Sequence, residues 1–210
     1  IQNTATVVQE HGDSRLMRSA ADMLNRQVKH LRRLVDDLLD SSRIRSGKIM
    51  LHEQPLEVAS VVRQAIETAL PLIQERHHRL EVRLSEEPMV MSGDNVRLSQ
   101  MIVNVLNNAA KYTPNGGLII VTLTREARRA VLSIQDNGLG IGPDMLSEIF
   151  APFSQGHRTI DRADGGLGVG LTLAKRIAEM HGGSIVAKSA GANMGSEFIM
   201  RLPLSAELGD

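Results

Sequence analysis

Four polar and glycine-rich clusters follow one another in the second half of this chain, and their order limits the possible folds more than any other feature. They are Asn104–Pro114 (N-V-L-N-N-A-A-K-Y-T-P), Asp136–Gly142 (D-N-G-L-G-I-G), Phe150 with Phe153, and Gly165–Leu171 (G-G-L-G-V-G-L). A single glycine cluster is typical of a turn, because glycine tolerates positive φ and crowded backbone. An ordered set of four favours one site built from separated segments.

Segments of clear periodicity separate these clusters. Residues 95–112 form a predicted helix that is capped by Gly93-Asp94 and carries the first cluster. A second helix follows Pro55, and Pro71 is expected to bend or end it. The other predicted elements are a helix at Leu171–Met180 and strands at Lys48–His52, Leu80–Leu84, Met89–Ser92, Leu118–Thr124, Ala130–Gln135, Ser184–Ser189 and Glu197–Leu202. This order predicts an α/β sandwich, a mixed sheet with helices on one face.

The first 46 residues have a different pattern, so we predict two domains, 1–46 and 47–210. Ser46-Gly47 breaks a long amphipathic helix, and His11 lies in a predicted turn that precedes this helix. The helix has a heptad seam typical of a helix bundle. The seam residues are Met17, Ala21, Leu24, Val28, Leu31, Val35, Leu38 and Ser42. The sequence therefore predicts a helical hairpin before the α/β domain.

Composition excludes several kinds of function. The 210 residues have a formal net charge of zero and only one Tyr, three Phe and no Trp. Neither a basic field nor an aromatic platform is thus available for nucleic acid, which we do not expect as a partner. Without Cys there are no disulfides and no thiolate metal sites.

The ends of the chain carry no targeting signal that we recognise. No apolar run approaches the ~18 residues of a membrane span, and no signal peptide is present, so no membrane contact is expected of this segment. The chain begins at Ile1 within a helical pattern. We expect it to be a cytoplasmic piece of a longer protein. The cytoplasmic part of a membrane-anchored sensor is one alternative.

The ordered clusters resemble the N box, first glycine box, F box and second glycine box of sensor histidine kinases. This is the ATP-binding Bergerat fold, shared with DNA gyrase, heat-shock chaperones and mismatch-repair ATPases. Arg26–Ile44 (R-Q-V-K-H-L-R-R-L-V-D-D-L-L-D-S-S-R-I) is similar to the second helix of the dimerisation and phosphotransfer hairpin of hybrid sensor kinases. The resemblance implies ATP and Mg²⁺ as ligands, a homodimer in the full-length protein, and a response-regulator receiver domain as partner.

Residue roles follow from matching the boxes to this chain. Asn104 and Asn108 lie one helical turn apart, so both amide oxygens face one spot, and the resemblance makes Asn108 the first Mg²⁺ ligand and Asn104 the second. Asp136 would accept a hydrogen bond from the adenine amino group. The remaining nucleotide contacts that the resemblance implies are Lys111, Tyr112, Gly138, Gly140, Gly142, Gly166, Leu167, Gly168, Gly170, Leu171 and Ser196, with Arg158 and Arg162 of the lid near the γ-phosphate. Phe150 and Phe153 are expected to anchor this lid, which we predict to be mobile, by burying their rings.

One position separates two chemistries of this fold. ATP-hydrolysing relatives carry a Glu where this chain has Asn104, and an amide cannot act as a general base. The pocket is therefore expected to hold ATP for transfer to a histidine. The family's acceptor motif is absent, so we place it upstream of Ile1; His11 and His30 lack its context. Two alternatives stay open: an ATP-sensing dimerisation module without phosphotransfer, and an ATP-hydrolysing clamp.

Overall fold

The computed structural model describes residues 50–154 and 168–205, together with Ala21, Met23, Leu24 and Val28. The chain divides into two compact units, Ile1–Gly47 and Lys48–Asp210. The four isolated residues of the first unit are helical. The rest of the predicted hairpin, including His11 and His30, lies outside the described residues, and so does the predicted lid between Phe153 and Gly165, apart from Ser154.

The second unit is built on a mixed five-stranded sheet with the strand order β2-β4-β5-β7-β6. Strand β2 runs parallel to β4, and every other neighbouring pair is antiparallel. A separate two-stranded sheet pairs β1 with β3. The strands are β1 Gln54–Glu57, β2 Arg79–Leu84, β3 Val90–Gly93, β4 Leu118–Glu126, β5 Arg129–Asp136, β6 Ser184–Lys188 and β7 Ser196–Pro203.

Helices cover one face of the large sheet. They are α1 Val58–Glu75, α2 Asn95–Tyr112, α3 Pro143–Glu148 and α4 Gly170–Met180. Helix α2 packs between α1 and α4. In β5 the inward side chains Leu132 and Ile134 are buried, whereas Gln135 on the other face is exposed. Such alternation is expected of a strand in a sheet that is packed on one face and open to solvent on the other. It confirms the predicted sandwich with helices on one face.

The N-cap of α2 is Asp94, as predicted. Its Oδ1 accepts the Arg97 N–H at 3.1 Å and its Oδ2 accepts the His52 N–H at 3.0 Å. Burial by itself would raise the pKa of the Asp94 carboxyl, but hydrogen bonds from the His52, Arg97 and Val96 amides and the charge of Arg97 outweigh it, so that the pKa lies below its ordinary value. The cap therefore favours the ionised carboxylate.

Two local predictions need correction, and one helix was not predicted. A strand was predicted at Lys48–His52, but residues 50–53 form no strand. The first strand is β1, whose Leu56 pairs with Met91 of β3. The partner strand, rather than local propensity, sets the position of so short a strand. Pro71 does not end α1, which continues to Glu75 because Ala69 and Ile73 bury its apolar face. Helix α3, which starts with Pro143, was not predicted.

Within the described residues, no helix has both the length and the apolar character needed to cross a bilayer.

Candidate functional site

Helix α2 carries two asparagines on its polar face. Asn104 and Asn108 are both half-buried on that face, opposite the core residues of the same helix. The Asn104 Nδ2 donates a hydrogen bond of 3.1 Å to the carbonyl oxygen of Gly170, the first residue of α4. The other amide atom of Asn104, Oδ1, is therefore still available as an acceptor. Within the described residues, the Asn108 amide makes no hydrogen bond.

The last turn of α2 connects this face to the second cluster. The Tyr112 carbonyl accepts the Leu139 N–H at 3.0 Å. The Lys111 ammonium lies 5.0 Å from the centre of the Tyr112 ring, a cation–π arrangement that holds both side chains at the helix end. The first and second clusters are thus joined through backbone at Tyr112.

Asp136 ends β5 on the inward face of the sheet, with 6% of its surface exposed. Its Oδ1 accepts the Gly138 N–H at 2.8 Å, and its Oδ2 accepts the Ser196 hydroxyl at 2.5 Å. A buried carboxylate without partners is costly, and these two donors offset that cost. Since an ionised carboxyl offers about four lone-pair sites, Asp136 keeps the capacity to accept from a ligand.

The glycines of the second cluster allow backbone to pack on backbone. A Cβ at Gly138 would lie 2.5 Å from the Tyr112 carbonyl oxygen. At Gly140, φ is +66° and a Cβ would overlap the carbonyl oxygen of Gly191. Gly142 has open space around it and precedes α3. The tight positions therefore serve contacts within the protein as well as any contact with a ligand.

The fourth cluster leads into the start of α4. Gly168 adopts φ +72°, and Val169, the residue before the helix, supplies no side-chain acceptor for the first N–H groups of α4. Such a helix start is suited to an anion. Leu171 buries its side chain in the core, so any contact it makes with a ligand is through its backbone. Arg158, Arg162, Gly166 and Leu167 lie outside the described residues.

The two phenylalanines behave differently from each other. Phe150 packs edge-to-face on Phe198 of β7, with ring centroids 6.4 Å apart. Phe153 is 53% exposed and has φ +63°, so the prediction that it buries its ring is wrong. Gly168 lies against the backbone of this segment, since a Cβ there would be 3.1 Å from Phe153 backbone atoms. Close contact at this point is made by the Phe153 backbone rather than by its ring.

Sequence reasoning missed the tip of the β6–β7 hairpin, residues 189–195. The Ser189 hydroxyl accepts the Ile141 N–H at 2.9 Å, and the Gly195 N–H donates to the Gly138 carbonyl at 3.1 Å. The hairpin tip is therefore packed along the second cluster. Its glycines, Gly191 and Gly195, were a visible turn signal, but no local pattern says which distant loop a turn contacts.

Comparison with known proteins identifies the family. Residues 93–206 match the family described as histidine kinase-, DNA gyrase B-, and HSP90-like ATPase. The chain is 33% identical over 181 residues to the circadian input-output histidine kinase CikA of Synechococcus elongatus, an overlap of 83% of this chain and 23% of CikA. It is 29% identical over 210 residues to the autoinducer 2 sensor kinase/phosphatase LuxQ of Vibrio parahaemolyticus, covering 97% of this chain and 24% of LuxQ.

A solved structure supports the same fold. Full-length ShkA, crystallised in complex with AMPPNP, superposes with a TM-score of 0.78 at 24% identity, covering 98% of this chain and 42% of ShkA. A likeness at that level of identity shows the fold.

The chain thus belongs to the histidine kinase-, DNA gyrase B-, and HSP90-like ATPase family. Within that family its homologues are sensor histidine kinases, and it spans about a quarter of the length of CikA and LuxQ.

Proposed function

We propose that this chain is the ATP-binding catalytic core of a sensor histidine kinase. It binds Mg²⁺-ATP and, in the longer protein, transfers the γ-phosphoryl group to a histidine on the dimerisation helix, from which the phosphoryl passes to a receiver-domain Asp. The observation that carries the proposal is the buried Asp136 carboxylate, which Gly138 and Ser196 hold in one orientation.

Asp136 selects the base in this proposal. Its remaining lone pairs accept a hydrogen bond from the 6-amino group of adenine, whereas the 6-oxo group of guanine would face the carboxylate with a second acceptor. Because the carboxylate is buried, that mismatch is not relieved by water. The Tyr112 ring, half-buried at the end of α2, supplies an apolar surface for the base.

The donor set of α2 fits a magnesium ion. The part of the chain that the structure describes contains no group of three or more His, Cys, Asp or Glu side chains that could hold a metal, so amide oxygens are the protein's candidate ligands. Mg²⁺ takes oxygen ligands and commonly binds one or two protein groups together with phosphates and waters. Asn108, with its amide uncommitted among the described residues, is the first candidate and Asn104 Oδ1 the second.

Phosphates fit the start of α4. The main-chain N–H groups there have no side-chain acceptor from the preceding residue, and Lys111 lies on the α2 turn that follows Asn108. Arg158 and Arg162 of the lid are our candidates for contacts with the γ-phosphate. Bound Mg²⁺ would neutralise charge on the phosphate oxygens.

Phosphoryl transfer then depends on position and charge. A histidine ring nitrogen forms a bond to the γ-phosphorus, the bond to the bridging oxygen breaks, and ADP leaves. Asn104 is unable to activate water, so we expect ATP to persist until the histidine is presented. Because ATP is a cytoplasmic metabolite, we place the domain in the cytoplasm, within a homodimer formed by the helical hairpin.

Calorimetry with AMPPNP tests the binding step. We expect saturable binding that strengthens with Mg²⁺, and a much weaker response to the guanine analogue GMPPNP. Folded protein that releases no heat of association with AMPPNP and Mg²⁺ would refute the proposal.

Labelled ATP tests the chemical step. A longer protein that includes the upstream helix is expected to form an acid-labile phosphohistidine, whereas the present chain is not. If the longer protein binds ATP without becoming labelled, the chain is an ATP-sensing module instead. Steady release of phosphate from the present chain would indicate a hydrolysing clamp.

A further inference from the structure

We infer that Ser189, which lies beside the second cluster but is not itself a predicted ligand contact, is a positioning residue that sets the base selectivity of the pocket. It does so by holding the second cluster, Asp136–Gly142, against the tip of the β6–β7 hairpin. This inference rests on the proposed function, because it concerns how Asp136 is kept ready for adenine.

The Ser189 hydroxyl uses its full hydrogen-bonding capacity. It donates its proton to the Gly195 carbonyl oxygen at 2.7 Å and accepts the backbone N–H groups of Ile141 at 2.9 Å and Gly191 at 3.2 Å. A serine hydroxyl has one donor and two acceptor sites, so this half-buried group is saturated. One side chain therefore joins both strands of the hairpin tip to the glycine loop.

Backbone contacts continue this junction toward Asp136. The Asn193 N–H donates to the Leu139 carbonyl at 2.6 Å, and the Gly195 N–H donates to the Gly138 carbonyl at 3.1 Å. Gly138 in turn donates to Asp136 Oδ1. The chain of bonds leads from Ser189 to one of the two donors that orient the carboxylate.

The second donor to Asp136, the Ser196 hydroxyl, lies next to the same junction. Ser196 follows Gly195 directly, and the Gly195 carbonyl is the acceptor of the Ser189 proton. A Cβ at Gly195 would overlap the Asp136 carbonyl oxygen, so the two backbones are already in close contact at this point. Because Ser196 is joined to Gly195, a shift of Gly195 would move the end of β7 that presents the Ser196 hydroxyl to Asp136 Oδ2.

Removal of the hydroxyl leaves polar groups without partners. In Ser189→Ala the Ile141 N–H and the Gly195 carbonyl lose their bonds, and the two loops lose the side-chain link between them. Partly buried polar groups without partners turn to solvent, which requires the loops to separate. The carboxylate of Asp136 would then be present but less well oriented.

The test compares two nucleotides that differ at the 6-position of the base. ATP carries the amino group that Asp136 would accept, and purine riboside triphosphate lacks it. We expect Ser189→Ala to weaken ATP binding about tenfold, as for loss of one hydrogen bond to a charged group, and purine riboside triphosphate binding by less than about threefold. Ser189→Thr, which keeps the hydroxyl, should retain most of the wild-type preference for ATP.

Ser133→Ala is the matched control. The Ser133 hydroxyl also makes a short bond, 2.7 Å to Glu197, but it lies on the outer face of β5, away from Asp136. Its removal should leave the preference for ATP unchanged. Equal weakening of both nucleotides by Ser189→Ala, or a lower melting temperature with an unchanged preference, would overturn the inference.

Amide hydrogen exchange tests the junction without any nucleotide. In the wild-type protein the Ile141 and Gly191 amides should exchange slowly, and fast exchange at both would overturn the inference even if ATP binds. Absence of ATP binding by the wild-type protein would instead refute the proposed function. Should Ser189→Ala not fold, Ser189→Cys replaces it: its weaker hydrogen bonds should lower the ATP preference below that of Ser189→Thr, and equal preferences would contradict the inference.

Discussion

The Ser196 hydroxyl lies 2.5 Å from Asp136 Oδ2, and the two residues are directly paired on neighbouring antiparallel strands, β7 and β5. The sheet itself therefore brings the hydroxyl to the carboxylate. Because both strands are anchored by buried residues such as Ile134 and Phe198, the core fixes the two strands, and the Gly138 N–H beside the hairpin tip completes the orientation of the carboxylate. This rigidity suits the base-selecting role that we propose for Asp136.

Asp136→Asn should weaken binding of AMPPNP by tenfold to a hundredfold. The amide can keep only one of the two donors, Gly138 or Ser196, and its NH₂ group faces the adenine amino group with a second donor. The range corresponds to the roughly 1.5–3 kcal/mol of a hydrogen bond to a charged group. Calorimetry measures it, with Asp144→Asn on the exposed start of α3 as the control for charge. Equal losses in both variants would contradict a direct role for Asp136.

Asn108→Ala should remove most of the magnesium dependence of ATP binding. In excess Mg²⁺ we expect affinity to fall about tenfold, because a metal ligand is lost, whereas affinity in a chelator should hardly change. Asn107→Ala is the control on the same helix, since its side chain lies about 100° around the helix axis from Asn108. An Asn108→Ala variant with wild-type magnesium dependence would assign the metal to other ligands.

Gly140→Ala should destabilise the domain by about 2 kcal/mol or more. The residue has φ +66° and a Cβ would overlap the Gly191 carbonyl, so both backbone strain and a clash with rigid backbone add to the cost. Gly142 has φ −66° and open space around it, so the free energy of unfolding of Gly142→Ala should stay within about 0.5 kcal/mol of wild type. The alanine weakens the helix cap, but it also lowers the entropy of the unfolded chain, and the two effects offset each other. Urea unfolding of both variants checks the contrast, and similar losses would contradict it.

Asp94→Asn should cost about 1 kcal/mol at pH 7, with the difference shrinking in acid. The folded protein lowers the pKa of the Asp94 carboxyl, so ionisation stabilises the fold above the unfolded-chain pKa of about 3.9. That stabilisation is lost as pH falls through 3.9 and then through the lower pKa of the folded state. The Asn side chain has one oxygen for the Arg97 and His52 amides, which two oxygens serve in the wild-type protein.

Urea unfolding between pH 7 and pH 3 measures this difference. Asp144→Asn, on the surface, controls for the change in net charge. A difference between wild type and Asp94→Asn that stays constant across this range would show that the charge of Asp94 does not contribute.

Long periodic segments were predicted well because their patterns reflect burial directly. Helix α2 shows this: its buried Leu98, Ile102 and Val105 recur with helical spacing, and Asp94 caps it. Short β1 was misplaced by several residues, since its position is set by pairing with β3. Pro71 was given too much weight, because a locally unfavourable residue is tolerated where the helix face around it is buried.

The candidate site shows the same contrast between residues predicted from local pattern and contacts set by packing. Asn104, Asn108, Asp136 and Gly140 stand out in the amino-acid order, because residue type and spacing limit their chemistry. The contacts of Phe153 and Ser189 did not, since they depend on which distant backbone lies alongside: Gly168 in one case and Ile141 in the other. Local pattern specifies which groups are available for chemistry, and only packing between segments far apart in the chain specifies their neighbours, because hydrogen bonds and steric overlap act at contact distance.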